Sequence, residues 1–174
     1  MGPAMVKRVL EIDEAVLLYL QRYHAPSITW LMRAFTRLGD TTTGVFIGLL
    51  LISMGGAAAQ AGWAMSLAVV LATALTQPFK RLCKRRRPSA AIGGFLALCR
   101  DPDAFSFPSG HTSAATAVAI VLAGQVGLGP VFCTLALGIG LSRVYLGAHY
   151  PLDVTAGAAL GTLAGLASRV ILGL

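Results

Sequence analysis

The stretch "TTTGVFIGLLLISMGGAAAQAGWAMSLAVVLATALTQPF", Thr41 to Phe79, is 39 residues long and contains no Asp, Glu, Lys or Arg. A membrane-spanning helix needs about 20 consecutive apolar residues, so the stretch is long enough for two such helices. The glycine-rich segment "GGAAAQAG", residues 55–62, predicts the fold between them. The sequence therefore predicts a chain that crosses a lipid bilayer.

The composition of the whole chain agrees with this prediction. Only 12% of the 174 residues are charged, about half the share in a soluble domain, and the mean hydropathy is +0.73. The length suits one domain covering residues 1–174. Three acids, at positions 11, 13 and 14, interrupt the place of a cleavable signal peptide. The three cysteines lack CxxC spacing, which favours thiols over a disulfide framework or a zinc site.

Further spans follow in the second half of the chain. Residues 104–142 form another stretch of 39 residues without Asp, Glu, Lys or Arg, and "GQVGLGP", residues 124–130, divides it into two helices. A last helix is predicted from Leu152 to Leu174. It carries glycines at positions 157, 161 and 165, a ridge that favours close helix packing within the monomer. The transmembrane core, residues 41–174, thus holds about five spans.

The first 40 residues have a different pattern. In "VLEIDEAVLLYLQRY", residues 9–23, apolar residues recur at roughly helical spacing with acids on the other face, which is typical of a helix lying in the membrane interface. Pro26 breaks this helix, and a second one with Trp30 and Arg33 at headgroup level follows. The predicted fold class is an all-α polytopic membrane helix bundle of about five transmembrane helices, with N-terminal interfacial helices in residues 1–40.

The charged residues are few and uneven. Lys and Arg outnumber Asp and Glu by 14 to 7, and six of the cations lie in "KRLCKRRR", residues 80–87. Part of this run reads as a basic patch on anionic lipid headgroups, and nucleic acid is disfavoured because no groove-reading element is visible. The connection that follows is acidic at its end, at Asp101 and Asp103. The residues assigned to the patch or to a structural role are His24, Arg81, Lys84, Arg85 and Arg86.

Three polar segments, "KRLCKRRRP", "PSGH" and "SRVYLGAHYPLD", lie at the ends of predicted spans. Antiparallel neighbours would place all of these ends on one side of the membrane. Lys80, Arg87 and Arg143 supply three cations, and Ser109 opens a helix whose N–H groups and dipole favour an anion. Gly110 allows a backbone N–H to approach closely. Together these residues predict a cradle for a tetrahedral oxyanion, most naturally phosphate.

Two histidines are expected beside the cradle. His149 and Asp153 are four residues apart and share a face if helical, so the carboxylate can accept from one ring nitrogen while the other attacks. His111 is placed to protonate a leaving oxygen. No acidic cluster remains to hold Mg²⁺, so the sequence predicts no metal and no cofactor.

The three segments resemble the signature of the type 2 phosphatidic-acid phosphatase superfamily, KxxxxxxRP, PSGH and SRxxxxxHxxxD, with every motif residue and spacing kept. The resemblance implies metal-independent hydrolysis through a phosphohistidine, with His149 as nucleophile, Asp153 as its partner and His111 as general acid. Membrane members usually have six spans, and this chain is expected to lack the first. The residues implied to hold the phosphoryl oxygens are Lys80, Arg87, Ser109, Gly110 and Arg143.

The expected function is that of an integral-membrane phosphatase acting on a lipid phosphate. Phosphatidic acid, phosphatidylglycerophosphate, polyprenyl mono- or diphosphates and phosphorylated glycolipids are candidate substrates, because a headgroup can reach a site at the membrane edge while its tails stay in the bilayer. Three alternatives remain open. They are a phosphatase of a soluble ester such as a sugar phosphate, a vanadate-dependent haloperoxidase, and a non-enzymatic protein that binds or transports anionic lipids.

The distribution of cations predicts the orientation in the cell membrane. Thirteen of the 14 Lys and Arg residues lie on the side of the motifs, and only Arg169 lies opposite. The positive-inside rule then places the motifs and the N-terminus in the cytoplasm. The expected partners are the lipid phosphate substrate and membrane lipids, without nucleic acid, and the oligomeric state is left open.

Overall fold

The structure, a computed structural model, describes residues 2–99 and 103–174, so Asp101 of the predicted polar connection lies outside the described residues. Within the described part of the chain, the regular elements are all helices, and the prediction of an all-α fold is confirmed. The helices are α1 (Pro3–Gln21), α2 (Pro26–Leu38), α3 (Thr41–Ser53), α4 (Gly56–Cys83), α5 (Pro88–Ala91), α6 (Gly110–Val126), α7 (Gly129–Tyr145) and α8 (Pro151–Leu172).

Local sequence explains where these helices begin and end. Helices α1, α2 and α8 each begin with a proline, whose fixed φ suits the first turn and whose missing N–H has no partner there anyway. Ser109 caps α6, and its side chain accepts a hydrogen bond from the N–H of Thr112. Helix α4 ends at Cys83, and the next residue, Lys84, has the left-handed conformation that often stops a helix.

Helix α6 occupies the centre of the bundle and packs against α4, α7 and α8. The core where these helices meet consists mainly of alanines. Small side chains let helix backbones approach closely, which is how helices associate when the solvent is lipid. The large apolar side chains point outward instead: Phe46, Trp63 and Val170 are each more than half exposed. This distribution suits a protein whose surroundings are acyl chains.

The glycine ridge of α8 lies against α6. A Cβ atom at Gly157 would lie 2.5 Å from the carbonyl oxygen of Ser109, and one at Gly161 would lie 2.3 Å from that of Ser113. The prediction of close packing inside the monomer is therefore confirmed. The contact also aligns the first turns of the two helices, because the N–H of Ser109 donates to the carbonyl of Asp153 at 2.9 Å.

The helix lengths change the predicted division into spans. Among the described residues, only α4 and α8 are long and apolar enough to cross a membrane alone. The first span was expected to begin at Thr41 and α2 to lie in the interface, but α3 has only 13 residues, about 20 Å. Joined with α2 across a bend of 56°, it becomes long enough to count as a third span. Helices α6 and α7 have 17 residues each, about 26 Å.

The break between the first two predicted transmembrane helices also differs from the prediction. It was expected at residues 55–62, whereas only residues 54 and 55 lie outside α3 and α4. The three alanines and the glutamine that follow Gly56 are good helix formers, and they continue as the first turns of α4. Gly55 and Gly56 alone provide the positive φ angles of the turn.

Helix α1 is docked on the bundle by one face. Leu17 is fully buried and packs with Val144 and Tyr150. The side-chain amide of Gln21 donates to the carbonyls of Val144 and Tyr145, at 3.3 and 3.1 Å. The helix predicted to lie on the membrane surface therefore supports the segment that joins α7 to α8.

Candidate active site

The predicted motif ends meet at one end of the bundle, around a cavity of about 170 Å³. Helix α4 contributes its last turns, α6 its first turn, and the segments before α6 and α8 complete the wall. The polar span ends therefore meet at one end of the helix bundle. Five of the eight residues proposed from the sequence line the cavity: Lys80, Arg87, Gly110, His111 and His149.

The other three proposed residues lie behind the cavity wall. Ser109 is fully buried, and its hydroxyl accepts a hydrogen bond from the hydroxyl of Thr112 at 2.9 Å. Asp153 is fully buried behind His149. Arg143 is 1% exposed and donates to the hydroxyl of Thr36. A contact of Ser109 or Arg143 with phosphate stays a prediction.

His149 lies in the short turn between α7 and α8. Gly147 has a φ of +74° in this turn, and the N–H groups of Ala148 and His149 donate to the carbonyl of Arg143 at 3.0 and 3.2 Å. The imidazole Nδ1 is 3.5 Å from Asp153 Oδ2, and Nε2 is 3.4 Å from Arg87 Nη1. With its proton on Nδ1, the ring presents the lone pair of Nε2 to the cavity.

The surroundings of His149 keep the imidazole neutral. Burial lowers the pKa of His149 to about 4, Asp153 opposes this effect, and the positive charges of Arg143 and Arg87 add to it. An ordinary histidine has a pKa of about 6.5. At neutral pH the ring is therefore unprotonated, the state in which a nitrogen can act as a nucleophile.

The two cations that line the cavity are paired with an acid outside the predicted site. Both Lys80 Nζ and the guanidinium of Arg87 form ion pairs with the carboxylate of Asp103, and Arg87 also donates to the carbonyl of Ala148 at 2.9 Å. Burial opposes ionisation of Asp103, but the hydrogen bonds from both cations outweigh burial and lower its pKa. An anionic group therefore already occupies the place between them.

His111 also has a carboxylate partner that the sequence did not suggest. Its Nε2 is 2.8 Å from Oδ1 of Asp40, a residue in the bend between α2 and α3. Asp40 follows Gly39 in a segment that was assigned to the membrane interface. Only the fold brings it to His111, since the two residues are 71 positions apart in sequence.

The assignment of Arg85 to a surface patch is wrong. Its side chain is only 18% exposed and forms ion pairs with two buried acids, Asp153 at 2.8 Å and Asp13 at 2.7 Å. Arg85 stands in a run of cations whose members look alike in sequence. Apart from the motif residues Lys80 and Arg87, nothing in that run distinguishes the side chain that turns inward from those that stay exposed. His24 agrees with its structural assignment, because its Nε2 lies 2.9 Å from the carbonyl oxygen of Tyr145.

An apolar groove of about 180 Å³ adjoins the cavity. Side chains from α3, α4, α6 and α7 line it, and Gly39, Thr41 and Ala114 border both spaces. A ligand could therefore place an anionic group against Lys80 and Arg87 and an apolar chain in the groove. Such a two-part site fits an amphiphilic phosphate.

Comparisons with known proteins agree with this geometry. The sequence profile of the PAP2 superfamily matches residues 61–173. A decaprenylphosphoryl-5-phosphoribose phosphatase of Mycobacterium tuberculosis is 32% identical over 165 residues, covering 92% of this chain and 91% of that protein. The crystal structure of LpxE from Aquifex aeolicus is similar, with a TM-score of 0.79 and 25% identity, over 91% of this chain and 95% of that one.

A second solved structure is similar over almost the whole chain. It is the first transmembrane PAP2 type phosphatidylglycerolphosphate phosphatase from Bacillus subtilis, with a TM-score of 0.76 and 26% identity. The match covers 94% of this chain and 86% of that chain. The helix arrangement is thus similar to that of solved PAP2 phosphatases.

Proposed function

The chain belongs to the PAP2 superfamily and is a membrane lipid phosphatase, and from this premise we propose that it hydrolyses a lipid phosphate through a phosphohistidine at His149. The observation that carries the proposal is the orientation of the His149 ring. Nδ1 faces the buried carboxylate of Asp153, and Nε2 faces the cavity beside Arg87. This is the arrangement of a nucleophile with an orienting partner.

The first step is attack of His149 Nε2 on phosphorus. A nitrogen–phosphorus bond forms as the bond from phosphorus to the lipid oxygen breaks, and His111 donates a proton to that oxygen. Asp153 stabilises the positive charge that develops on the imidazole. In the second step, water attacks phosphorus while His111 accepts its proton, and the nitrogen–phosphorus bond breaks to release phosphate.

Lys80, Arg87 and the N–H groups at the start of α6 are proposed to hold the phosphoryl oxygens. Lys80 and Arg87 approach the cavity from one wall and Gly110 from another, so a tetrahedral anion between them would meet donors on two sides. The carboxylate of Asp103 has to leave both cations before the phosphate can bind. Ser109 and Arg143 are proposed to complete the cradle.

The substrate is proposed to be a phosphate monoester or diphosphate on a lipid, such as phosphatidic acid, phosphatidylglycerophosphate or a polyprenyl phosphate. The groove beside the cavity supports a lipid over a soluble ester, because it offers an apolar surface continuous with the phosphate site. Burial of apolar area contributes about 25 cal/mol per Å², so a tail in this groove would add to binding. A short soluble ester would lack that contribution.

The cavity is proposed to face the cytoplasm, since nearly all cations lie on its side. Cys83 tests this orientation, because it is exposed at the end of α4 that carries Lys80. In a variant with Cys99→Ser and Cys133→Ser, a membrane-impermeant maleimide should label Cys83 only after the cells are permeabilised. Labelling in intact cells would place the cavity outside.

Phosphate release from the purified protein in EDTA tests the catalytic proposal. The panel should contain phosphatidic acid, phosphatidylglycerophosphate, undecaprenyl phosphate, undecaprenyl diphosphate and glucose 6-phosphate. We expect at least one lipid to be cleaved with a much higher kcat/KM than the sugar phosphate. With a ³²P-labelled substrate, rapid quenching should trap an alkali-stable, acid-labile phosphoprotein. A need for divalent metal or equal cleavage of the soluble ester would contradict the proposal.

A further inference from the structure

A chain of alternating charges leads from the nucleophile to the N-terminal helix. His149 Nδ1 faces Asp153 Oδ2 at 3.5 Å, and Asp153 Oδ1 accepts from Arg85 Nη1 at 2.8 Å. Arg85 Nη2 then donates to Asp13 Oδ2 at 2.7 Å. Asp13 is the last residue in this series of contacts, and its other oxygen accepts from the N–H of Leu152 at 2.8 Å.

These charges are buried, so each depends on its neighbours. The side chains of Asp153 and Asp13 are 0% and 2% exposed, and a buried carboxylate without a partner carries a large desolvation cost. The guanidinium of Arg85 pairs with both, one with each terminal nitrogen. Its Cζ also lies 3.8 Å above the ring of Tyr150, within the range of a cation–π contact. Few rotamers of Arg85 satisfy all three contacts.

The pairing with Arg85 determines what Asp153 can do. Its Oδ1 is engaged by Arg85, and its Oδ2 accepts from the N–H of Tyr150 at 2.9 Å and faces His149. We propose that Arg85, held by Asp13, is a positioning residue that keeps Asp153 ionised and fixes its Oδ2 on His149. The proposal rests on the function proposed above. It adds a residue at a variable position of the first motif and a helix outside the region that the family profile matches.

The role of Asp13 extends the support of the site to α1. Its carboxylate joins Arg85 to the first turn of α8, where Leu152 lies, and Leu17 packs one helical turn further along against Val144 and Tyr150. Helix α1 therefore contacts both sides of the turn that carries His149. Asp13 is expected to act on catalysis only through Arg85.

Steady-state kinetics of five variants test the proposal: Arg85→Ala, Arg85→Lys, Asp13→Asn, the double variant Asp13→Asn with Arg85→Ala, and the control Arg81→Ala. Arg81 is an exposed cation of the same run. For Arg85→Ala we expect kcat to fall about 10- to 100-fold, the usual effect of losing the outer partner of a functional side chain. KM and the inhibition constant of inorganic phosphate should change less than about threefold, since Lys80 and Arg87 still bind the anion.

Further expected results follow from the two ion pairs that Arg85 forms. Arg85→Lys should recover part of kcat, because an ammonium can pair with Asp153 but lacks the planar fork. Asp13→Asn should lower kcat less than Arg85→Ala does, and should add nothing in the Arg85→Ala background, the signature of coupled residues in a double-mutant cycle. Arg81→Ala should keep the wild-type kcat.

Two results would overturn the inference. One is equal kcat for Arg85→Ala and Arg81→Ala. The other is a loss of phosphate inhibition and melting temperature in parallel with kcat, which would show that Arg85 only holds the fold together. Absence of a phosphohistidine in the wild-type protein would overturn the proposed mechanism together with this inference, so the two failures are distinct.

Discussion

At one end of the cavity, Lys80 and Arg87 are paired with Asp103, whose side chain is 39% exposed and lies on a connecting segment. Next to this cation end, with His149 Nε2 only 3.4 Å from Arg87 Nη1, lies the nucleophile end. There His149 is backed by Asp153, which is fully buried in the first turn of α8 and paired with Arg85. Both ends combine cations with a carboxylate. They differ in how deeply that carboxylate is buried and in what holds it.

The difference indicates which end can rearrange during catalysis. A half-exposed carboxylate can return to water at modest cost, because solvent replaces its partners. When a carboxylate is buried, loss of its partner destabilises the folded protein by several kcal/mol. The cation end is therefore able to exchange one anion for another, as substrate binding requires. The nucleophile end is held in one geometry, as a reaction at a single nitrogen requires.

The largest effect is expected at His149 in the nucleophile end. His149→Ala removes the proposed nucleophile and should lower kcat by several orders of magnitude, the range seen when a nucleophile is deleted. Phosphate release and trapping of the labelled phosphoprotein measure this loss. His24→Gln is the matched control, because His24 contacts Tyr145 away from the cavity. Residual phosphoprotein in His149→Ala would assign the nucleophile to another residue.

The two ends also differ in how much of them the sequence predicts. The spacing of the motifs predicts the site residues. Hydropathy predicts that they come together, because alternating spans bring the polar ends to one end of the bundle. The partners Asp13, Asp40 and Asp103 do not follow in the same way. Each is one acid in a segment without a motif, and its partner lies between 16 and 139 positions away. Such pairs depend on how the helices pack.

Arg85 and α3 show two further limits of the sequence. Beyond the motif residues Lys80 and Arg87, the run of six cations gives no sign that Arg85 also turns inward, since charge and spacing are the same for a surface patch. Hydropathy likewise measures the length of an apolar stretch and not where a helix stops. The stretch after Thr41 is long enough for a span, yet α3 has 13 residues, because Gly55 and Gly56 end it early.

The contact between α6 and α8 holds the start of α6, whose N–H groups are proposed to bind the phosphate, next to Asp153 of the nucleophile end. In Gly157→Ala the new Cβ would meet the carbonyl oxygen of Ser109, 2.5 Å away, and would separate the start of α6 from Asp153. Overpacking of this kind costs about 1–3 kcal/mol. We expect a lower melting temperature. We also expect kcat/KM to fall by about 5- to 150-fold, because the same cost is added to the barrier of the reaction.

Gly93→Ala is the control for this test, because nothing lies within 4 Å of a Cβ at that position. The melting temperature should be followed by tryptophan fluorescence in detergent, next to lipid phosphate hydrolysis. An unchanged Gly157→Ala protein would show that the start of α6 and Asp153 keep their spacing without the glycine ridge.

The pairing of His111 with Asp40 predicts an intermediate effect. Asp40→Asn keeps the size of the side chain but removes the charge that orients His111 at 2.8 Å. We expect kcat to fall about 10- to 100-fold, less than the roughly 100- to 10,000-fold contribution of general acid catalysis as a whole, because His111 itself is kept. A lipid with a better leaving group should be affected less, because its oxygen needs less protonation. Glu11→Gln, an exposed acid on α1, is the matched control, and equal losses for both leaving groups would exclude this role of Asp40.

The burial of the nucleophile end should also be measurable in the titration of His149. Since its pKa is lowered to about 4 from about 6.5 in an unfolded chain, the imidazole should remain neutral from pH 7 down to about pH 5. Protonation favours the unfolded state, so the contribution of His149 to stability is present above pH 6.5 and is lost as the pH falls toward 4. NMR of ¹³C-labelled histidine, assigned by the signal missing in His149→Ala, measures the midpoint. A midpoint near 6.5 would contradict the burial of the ring.

The smallest effect is expected at the cation end, and it is a gain in apparent affinity and not a loss of activity. Asp103→Asn removes the carboxylate that competes with substrate for Lys80 and Arg87. Apparent affinity falls in proportion to the fraction of protein that is able to bind, so removing the competitor should lower KM and the inhibition constant of phosphate by about 2- to 10-fold while kcat stays unchanged. The control is again Glu11→Gln. A higher KM in Asp103→Asn would mean that the carboxylate holds the cations in place for the substrate, and the contrast between the two ends would then disappear, because both would depend on a fixed acid.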